Sequence, residues 1–267
     1  MKSLIAPLLL TLGLSAPFLA QAHDAWILPS STVLSGDEAW VTVDAAVGND
    51  KFYFDHRPMA LNGLQIKDPA GKDIAAQNAF SGAVRSGFDI HLTTDGTYRI
   101  AVVNHGAMAT WKEDGKPRRW FGPLENLADK VPARAEGLQV QERLSRVETF
   151  VTKGKPSQLD RIDRGLALTP AAHPNDLVAG EKTGFTLTLD GKPLPDAEIE
   201  IVPEGSRYRD QLNAITAKTD DKGSIQVTWP AAGRYWLHAQ ASDTVTSVAQ
   251  ADKRTLSYSA TLEVLPQ

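Results

Sequence analysis

Apolar and polar residues alternate along most of this chain, which is the pattern of strands that bury one face. The alternation is clear in "AWVTVDAAVG" (39–48) and in "LSRVETFVTKG" (144–154). A third stretch, residues 87–104, contains two such runs around Asp95-Gly96, a dipeptide that favours a hairpin turn. Before residue 160 no long run repeats every 3.6 residues, and the best helix candidate is the short segment 124–130. The sequence therefore predicts an all-β protein.

The last hundred residues repeat this rhythm with shorter strands. Turn residues occur in "DGKPLPDA" (190–197), in "DDKG" (220–223) and in "PAAG" (230–233), and "TLSYSATLEVLP" forms a closing strand. We expect Tyr235 and Leu237 to point into a core, and Trp236 and His238 to occupy the opposite face. Short strands separated by such turns are typical of a β-sandwich.

A polar segment with no periodic pattern, residues 153–165, separates the two parts. We predict two β-sandwich domains, 23–164 and 165–267. The C-terminal one resembles immunoglobulin-like and transthyretin-like modules through "GKPLPDAEIEI", "TDDKGSIQVTW" and "AGRYWLHA", in that order.

The first 22 residues have the three zones of a secretory signal peptide. A lysine precedes an apolar run, and Ala20-Gln21-Ala22 fits the small-x-small cleavage pattern. Because this segment holds one lysine and no acid, its removal changes the net charge from −4 to −5. A mildly acidic chain with no polybasic stretch gives no sign of nucleic-acid binding. We predict a periplasmic protein, not embedded in the membrane after cleavage.

The chain has no cysteine, so a metal site must use histidine, oxygen ligands or the N-terminal amine. Cleavage after Ala22 makes His23 the first residue. A terminal histidine offers both its α-amine and Nδ1 to one ion, and a second histidine completes a three-nitrogen site that suits Cu(II). The alternative is that His23 only starts the chain. Asp24 is a further oxygen ligand, although strand geometry points it away from His23.

Three other histidines compete for the position of second ligand. His56 lies in an aromatic-rich loop beside Asp55, His105 in a predicted loop after a strand, and His238 on a strand. Each has an ordinary alternative as a solvated or packed residue. A histidine and carboxylate site would widen the choice of metal from copper to nickel, cobalt, zinc or iron.

The remaining two histidines are not expected to bind metal. His91 alternates with Asp89 on a strand and should face solvent, and His173 belongs to the connection between the predicted domains.

Aromatic and cationic residues are concentrated in "WKEDGKPRRWFGP" (111–123), a predicted hairpin. Trp111, Arg118, Arg119 and Trp120 have the composition of a partner-binding surface. Alternatively, the tryptophans cap the core while the cations solvate the turn. The loop "GSRYRD" (205–210) has a similar composition, and a meeting of the two loops would form an inter-domain groove.

No nucleophile elbow, phosphate-binding loop, dinucleotide fingerprint or zinc-protease motif occurs in the sequence. We therefore predict that the protein is not an enzyme and assign no catalytic residue. Paired acids such as Asp220-Asp221 lie in turns, where solvation explains them.

The opening "HDAWILPS", the segment "GLALTPAAHPNDLVAGEKTGF" and the later "GSRYRD" and "GRYWLHA" occur in an order that resembles the DUF4198 family of exported bacterial proteins. The resemblance implies a non-enzymatic accessory protein for uptake or handling of a transition metal (Ni, Co, Cu or Fe). It implies an outer-membrane receptor or a metal transporter as partner. The alternative is a β-sandwich module that binds a TonB-type receptor or a glycan without metal. "VGNDKFYFDHRP" replaces a shorter glycine-rich stretch of the family, so ligands there are not transferred.

Overall fold

The computed structural model describes residues 23–267, so the predicted signal peptide over residues 1–22 lies outside the described residues. Strands form nearly all of the regular structure, as the alternating pattern predicts. The one α-helix of residues 23–267 has four residues, and no helix in that range is long and apolar enough to span a bilayer.

The N-terminal half contains ten strands and one helical segment, which follows the hairpin of β8 and β9 where residues 124–130 were predicted to be helical. The elements are β1 (Asp24–Pro29), β2 (Val33–Leu34), β3 (Ala39–Gly48), β4 (Arg57–Pro58), β5 (Leu64–Lys67), β6 (Gln77–Ser81), β7 (Ser86–Leu92), β8 (Gly96–Glu113), β9 (Lys116–Pro123), a 3₁₀ turn (Leu124–Asn126), α1 (Leu127–Lys130) and β10 (Glu136–Lys153).

The C-terminal half contains nine shorter strands and one 3₁₀ turn. They are β11 (Leu166–Pro170), β12 (Leu177–Val178), β13 (Lys182–Leu189), β14 (Lys192–Pro193), β15 (Glu198–Pro203), the 3₁₀ turn (Ser206–Tyr208), β16 (Ile215–Lys218), β17 (Ser224–Thr228), β18 (Gly233–Asp243) and β19 (Lys253–Leu265).

These strands form three sheets. The N-terminal sheet has the order β1-β3-β7-β6, with β4 beside β3. The central sheet has ten strands in the order β16-β15-β18-β19-β10-β8-β5, with β12, β2 and β9 on its flanks. The C-terminal sheet is β11-β13-β14, with β17 beside β13. In the central sheet β10 and β19 pair in parallel, which joins the two halves of the chain.

The outer sheets cover opposite faces of the central sheet. Along β10, Val147 and Val151 belong to the core under the N-terminal sheet, whereas Phe150 belongs to the core under the C-terminal sheet. Adjacent strand residues point to opposite faces, so the central sheet contributes to both cores. Each half is thus a β-sandwich, and Tyr235 and Leu237 lie in the C-terminal core as predicted.

The two sandwiches also meet at a small aromatic cluster. Trp26 of β1 and Trp236 of β18 are buried together with Ala46 and Val202. The irregular segment 154–165 connects the halves, as the polar composition predicts. Because the central sheet and this cluster cross the predicted domain boundary, the division at residue 164 stays a prediction.

The hairpin predicted at Asp95-Gly96 is wrong. The preceding strand, β7, pairs with β3 and β6 in the N-terminal sheet, whereas β8 pairs with β10, β5 and β9 in the central sheet. The turn therefore connects the N-terminal sheet to the central sheet. As a result β7 and β8 lie on opposite sides of the N-terminal core. Gly96 has a φ of +130°, which glycine adopts without strain.

Candidate functional site

The structure brings His23 and His56 together at the beginning of β1. Their imidazole rings are parallel, with an interplanar angle of 7° and 3.7 Å between ring centroids. Both side chains are exposed. His56 precedes β4, which pairs with the end of β3, and β1 pairs with the same end of β3 from Asp24↔Gly48 onward. The register of three strands thus determines that these two histidines are neighbours.

The loop before His56, residues 49–56, is anchored by its own aromatic residues. Phe52 and Phe54 pack against the buried ring of Trp26, with centroid distances of 5.7 and 5.0 Å. Asp55 accepts hydrogen bonds from the backbone and side-chain nitrogens of Asn49 at 3.0 and 3.3 Å. Asp55 therefore forms a local turn that closes the loop on itself.

A glycine is required where this loop leaves β3. A Cβ atom at Gly48 would lie 2.7 Å from the carbonyl oxygen of Tyr53, closer than real Cβ contacts allow. The chain therefore turns back tightly over Gly48, and this turn places His56 near β1.

The C-terminal half supports the same loop from the other side. Ser206 donates a hydrogen bond to Asp50 at 3.3 Å, and the Arg207 guanidinium lies 3.8 Å from the centroid of Tyr53. The "GSRYRD" loop thus packs on the aromatic loop, and its meeting with the hairpin of β8 and β9 stays a prediction. Sequence analysis had no signal for the observed contact, because Ser206 and Asp50 are 156 positions apart.

Asp24 is committed to an ion pair with Lys51. The Lys51 ammonium also lies 4.4 Å from the ring centroid of Trp236, which in turn stacks on His238 at 4.9 Å. The carboxylate of Asp24 is therefore engaged by a cation, in agreement with the expectation that it points away from His23.

His238 lies on β18, on the same face as Trp236, as predicted. Its Nδ1 is 3.0 Å from the Ser259 hydroxyl, and its Nε2 is 2.9 Å from the side-chain nitrogen of Gln240. Burial lowers the pKa of His238, so the ring is neutral near pH 7. Both ring nitrogens already have partners, so metal ligation by His238, which stays a prediction, would require breaking one of these contacts.

His105 lies within β8 and not in a loop, because β8 pairs with β10 in register from His105↔Leu144 to Thr110↔Gln139 and, beyond a register shift, again at Lys112↔Glu136. Its Nε2 is 2.5 Å from the buried Glu142, and its Nδ1 is 3.2 Å from Arg164. Because arginine only donates, Nδ1 accepts and Nε2 carries the proton. Metal ligation by His105, which also stays a prediction, would have to displace a guanidinium.

Glu142 organises the contacts around His105. Its carboxylate accepts hydrogen bonds from the backbone and hydroxyl of Ser247 at 2.6 and 2.7 Å. Burial raises the pKa of Glu142, but the hydrogen bonds from Ser247 and His105 outweigh it and hold this pKa below its ordinary value. The carboxylate is therefore ionised and structural.

The last two histidines are also engaged. His91 stacks on Trp40 with 4.5 Å between centroids and lies 3.4 Å from Glu38, half-exposed on the surface. His173 contacts Thr97 at 2.8 Å and accepts a hydrogen bond from the Asn175 backbone at 3.1 Å. Across residues 23–267 no three His, Asp or Glu side chains are grouped closely enough to hold a metal ion.

The hairpin of β8 and β9 separates its aromatic residues by face. Trp111 and Trp120 pack against a small cluster that includes Leu127 and Val131, whereas Phe121 is 65% exposed. Arg118 pairs with Glu113 and Arg119 contacts Met108, both at the surface. The tryptophans are therefore partly buried against this cluster, and partner binding by Trp111, Arg118, Arg119 and Trp120 stays a prediction.

Phe121 is the exposed aromatic residue of this hairpin, and the Arg143 guanidinium lies 5.5 Å from its centroid. Sequence analysis passed over it because the two tryptophans dominate the composition. Alternation from Trp120 was the signal that placed it on the other face.

Comparison with known proteins identifies a family but no activity. Among solved structures, the D0-D1 domain of intimin is similar at 13% identity and a TM-score of 0.23, covering 90% of this chain and 97% of that one. The FN1-FN3 domains of chicken CNTN1 are similar at 8% identity and a TM-score of 0.24, covering 91% and 99%. No curated protein matches. The family model described as a domain of unknown function, DUF4198, matches residues 20–243, and the chain therefore belongs to the DUF4198 family.

Proposed function

We propose that this protein is a periplasmic metal-binding accessory protein that assists the uptake or handling of a transition metal. The observation that supports it is the stacking of His23 on His56, with 3.7 Å between ring centroids. The lone pairs of stacked imidazoles lie in two parallel planes, so binding requires the exposed rings to rotate out of the stack until a nitrogen of each lies about 2.0–2.1 Å from one ion. The chemistry of the donors, two neutral imidazoles, fits Cu(II), Ni(II) or Co(II).

The third ligand of this proposal is the α-amine of His23. It becomes available if the signal peptide is cleaved after Ala22, and its pKa of about 7.7–8.0 in peptides lets a metal displace the proton near neutral pH. His23 then binds through its amine and Nδ1, and His56 completes a site of three nitrogens. The general affinity order favours Cu(II) over Ni(II) and Co(II) at such a site.

The surroundings of the pair support binding with little reorganisation of the backbone. Trp26, in the aromatic cluster where the two sandwiches meet, packs against Phe52 of the loop before His56, and Arg207 and Ser206 contact this loop from the C-terminal half. A ligand held by elements that are themselves packed binds more tightly than one on a free loop. We propose an outer-membrane receptor or a metal transporter as the protein that exchanges metal with this site.

The proposal is tested by calorimetric titration of the chain beginning at His23 with Cu(II), Ni(II) and Co(II). We expect His56→Ala to weaken binding of the preferred ion at least about 100-fold, since it removes a ligand. A chain with one extra methionine before His23 should lose affinity similarly, because the amine is displaced. His91→Ala, a surface histidine without a histidine neighbour, is the matched control and should bind as the parent does.

Equal affinity of the parent and His56→Ala would overturn the site. If the parent binds none of the three ions, a second function is favoured: a β-sandwich module that binds a receptor or a glycan without metal. The exposed Phe121 beside Arg143 supports that alternative, since aromatic and arginine side chains are enriched in the centres of protein interfaces.

A further inference from the structure

A cavity of about 220 Å³ lies on the central sheet, where β5, β8 and β10 run side by side. It occupies the face opposite the N-terminal sheet: Ile100 and Val102 of β8 point into the N-terminal core, while Arg99 and Ala101 line the cavity. The irregular segment that joins the two halves forms its other wall through residues 158–162.

Four cations line the cavity, Lys67, Arg99, Arg146 and Arg161, together with the carboxylates Asp68 and Asp160. Two of the cations have their own partners outside the lining, since Lys67 pairs with Asp73 at 2.8 Å and Arg161 with Asp163 at 3.0 Å. Arg99 and Arg146 are close to a third carboxylate, Glu148, which is fully buried beneath them.

Glu148 is shared, so it does not neutralise both guanidinium groups. Its Oε2 is 3.1 Å from Nη1 of Arg146 and 3.6 Å from Nε of Arg99, and its Oε1 accepts a hydrogen bond from Tyr258 at 2.5 Å. One negative charge is therefore divided between two arginines, which leaves an excess of one positive charge among Arg99, Arg146 and Glu148 at the floor of the cavity.

Arg99 has a donor that the described residues leave unused. The residue is 9% exposed, and its Nη1 donates to the backbone oxygen of Asp160 at 2.6 Å. Its Nε is buried and has no hydrogen-bond partner among residues 23–267. A buried unpartnered donor on a charged group is costly, and such a donor in a native protein commonly marks a position for a water or a bound ligand.

We propose that this cavity binds a small oxyanion, a molecule carrying a carboxylate or a phosphate group. Arg146 and Arg99 hold the oxyanion against the floor of the cavity. Guanidinium groups recognise carboxylates and phosphates through charge-assisted, often paired, hydrogen bonds. The volume is at the small end for ligand cavities and fits a ligand of a few heavy atoms. The site is separate from the histidine pair and does not depend on metal binding.

The experiment is calorimetric titration of the metal-free chain beginning at His23 with succinate, citrate and inorganic phosphate at a fixed salt concentration, with glycerol as the uncharged probe. We expect saturable binding of at least one oxyanion and none of glycerol. Binding of phosphate alone identifies a phosphate ligand, and binding of succinate or citrate alone identifies a carboxylate. The absence of binding for all three would overturn the proposal.

Two variants test the cavity by different means. Arg146→Gln removes a charge, and Ala101→Leu fills the cavity while leaving every charge in place. We expect each to weaken binding at least tenfold, with the native fold checked by circular dichroism.

Arg118→Gln, an exposed arginine on the hairpin of β8 and β9, is the matched control for charge. His56→Ala separates this site from the metal site. Both should bind the oxyanion as the parent does. Unchanged affinity in a folded Ala101→Leu variant would show that the oxyanion binds elsewhere and would overturn the assignment.

Discussion

The histidine pair and the surroundings of His105 are opposite ways to place a histidine on the same β framework. His23 and His56 are exposed, and their rings stack on each other. His105 is fixed between the buried Glu142 and Arg164, so the orientation of its ring is determined by the fold. The comparison teaches that a ligand site is better sought where imidazole nitrogens are free than where histidines are most buried.

The largest effect is expected at Glu142. Glu142→Ala leaves the Ser247 backbone donor and His105 without their acceptor in a buried position. We expect it to lower the free energy of unfolding by about 3 kcal/mol. His56→Ala, which removes an exposed side chain, should change it by less than about 0.5 kcal/mol. Urea unfolding of both variants checks the comparison, and equal losses would show that both histidine environments are structural.

A smaller effect is expected from acid at His173. Burial lowers the pKa of His173, because removal from water disfavours the charged ring. The ring accepts a hydrogen bond from the Asn175 backbone and contacts Thr97. The unfolded chain has the ordinary pKa of about 6.5. The stability that His173 contributes is therefore complete above about pH 6.5 and is lost as pH falls toward its folded-state pKa.

Thermal unfolding between pH 7.5 and 5 measures this loss. The melting temperature should fall less steeply with acidification in His173→Gln than in the parent. His91→Gln, at the surface, is the control and should follow the parent curve; an identical slope in His173→Gln would contradict the assignment.

The smallest effect is expected at His91. Its ring stacks on the half-exposed Trp40 and faces an exposed Glu38. His91→Ala should change the free energy of unfolding by about 0.5 kcal/mol or less, because exposed ion pairs and surface contacts contribute little. Urea unfolding measures this change. A loss of unfolding free energy close to that of Glu142→Ala would contradict the proposed difference between exposed and embedded histidines.

Local patterns in the sequence were sufficient for the strands. The runs 39–48 and 144–154, the closing strand and the short helix at 124–130 are all present, because alternation and turn residues are determined by neighbours in the chain. Alternation also placed Trp236 and His238 on one face correctly. The all-β class and the two sandwiches followed from the same information.

Local patterns did not determine which strands and side chains that are distant in sequence become neighbours. Asp95-Gly96 has the composition of a hairpin turn, yet β7 and β8 pair with strands of different sheets. Those pairings involve residues distant in sequence, which the turn residues do not determine. His105 follows a strand that looked complete, but β10 extends the pairing beyond it. His56 meets His23 because β1 and β4 both pair with β3, and the sequence carries no local record of that register.

The parallel pairing of β10 with β19 has a consequence for how the chain acquires its fold during synthesis. Gln141 is matched with Lys253, so more than a hundred residues must be made before β10 gains this neighbour. Until then the N-terminal half presents an open strand edge, and closing so long a loop is slow. The final structure is therefore completed only after the last strand has been made, later than two independent sandwiches would be.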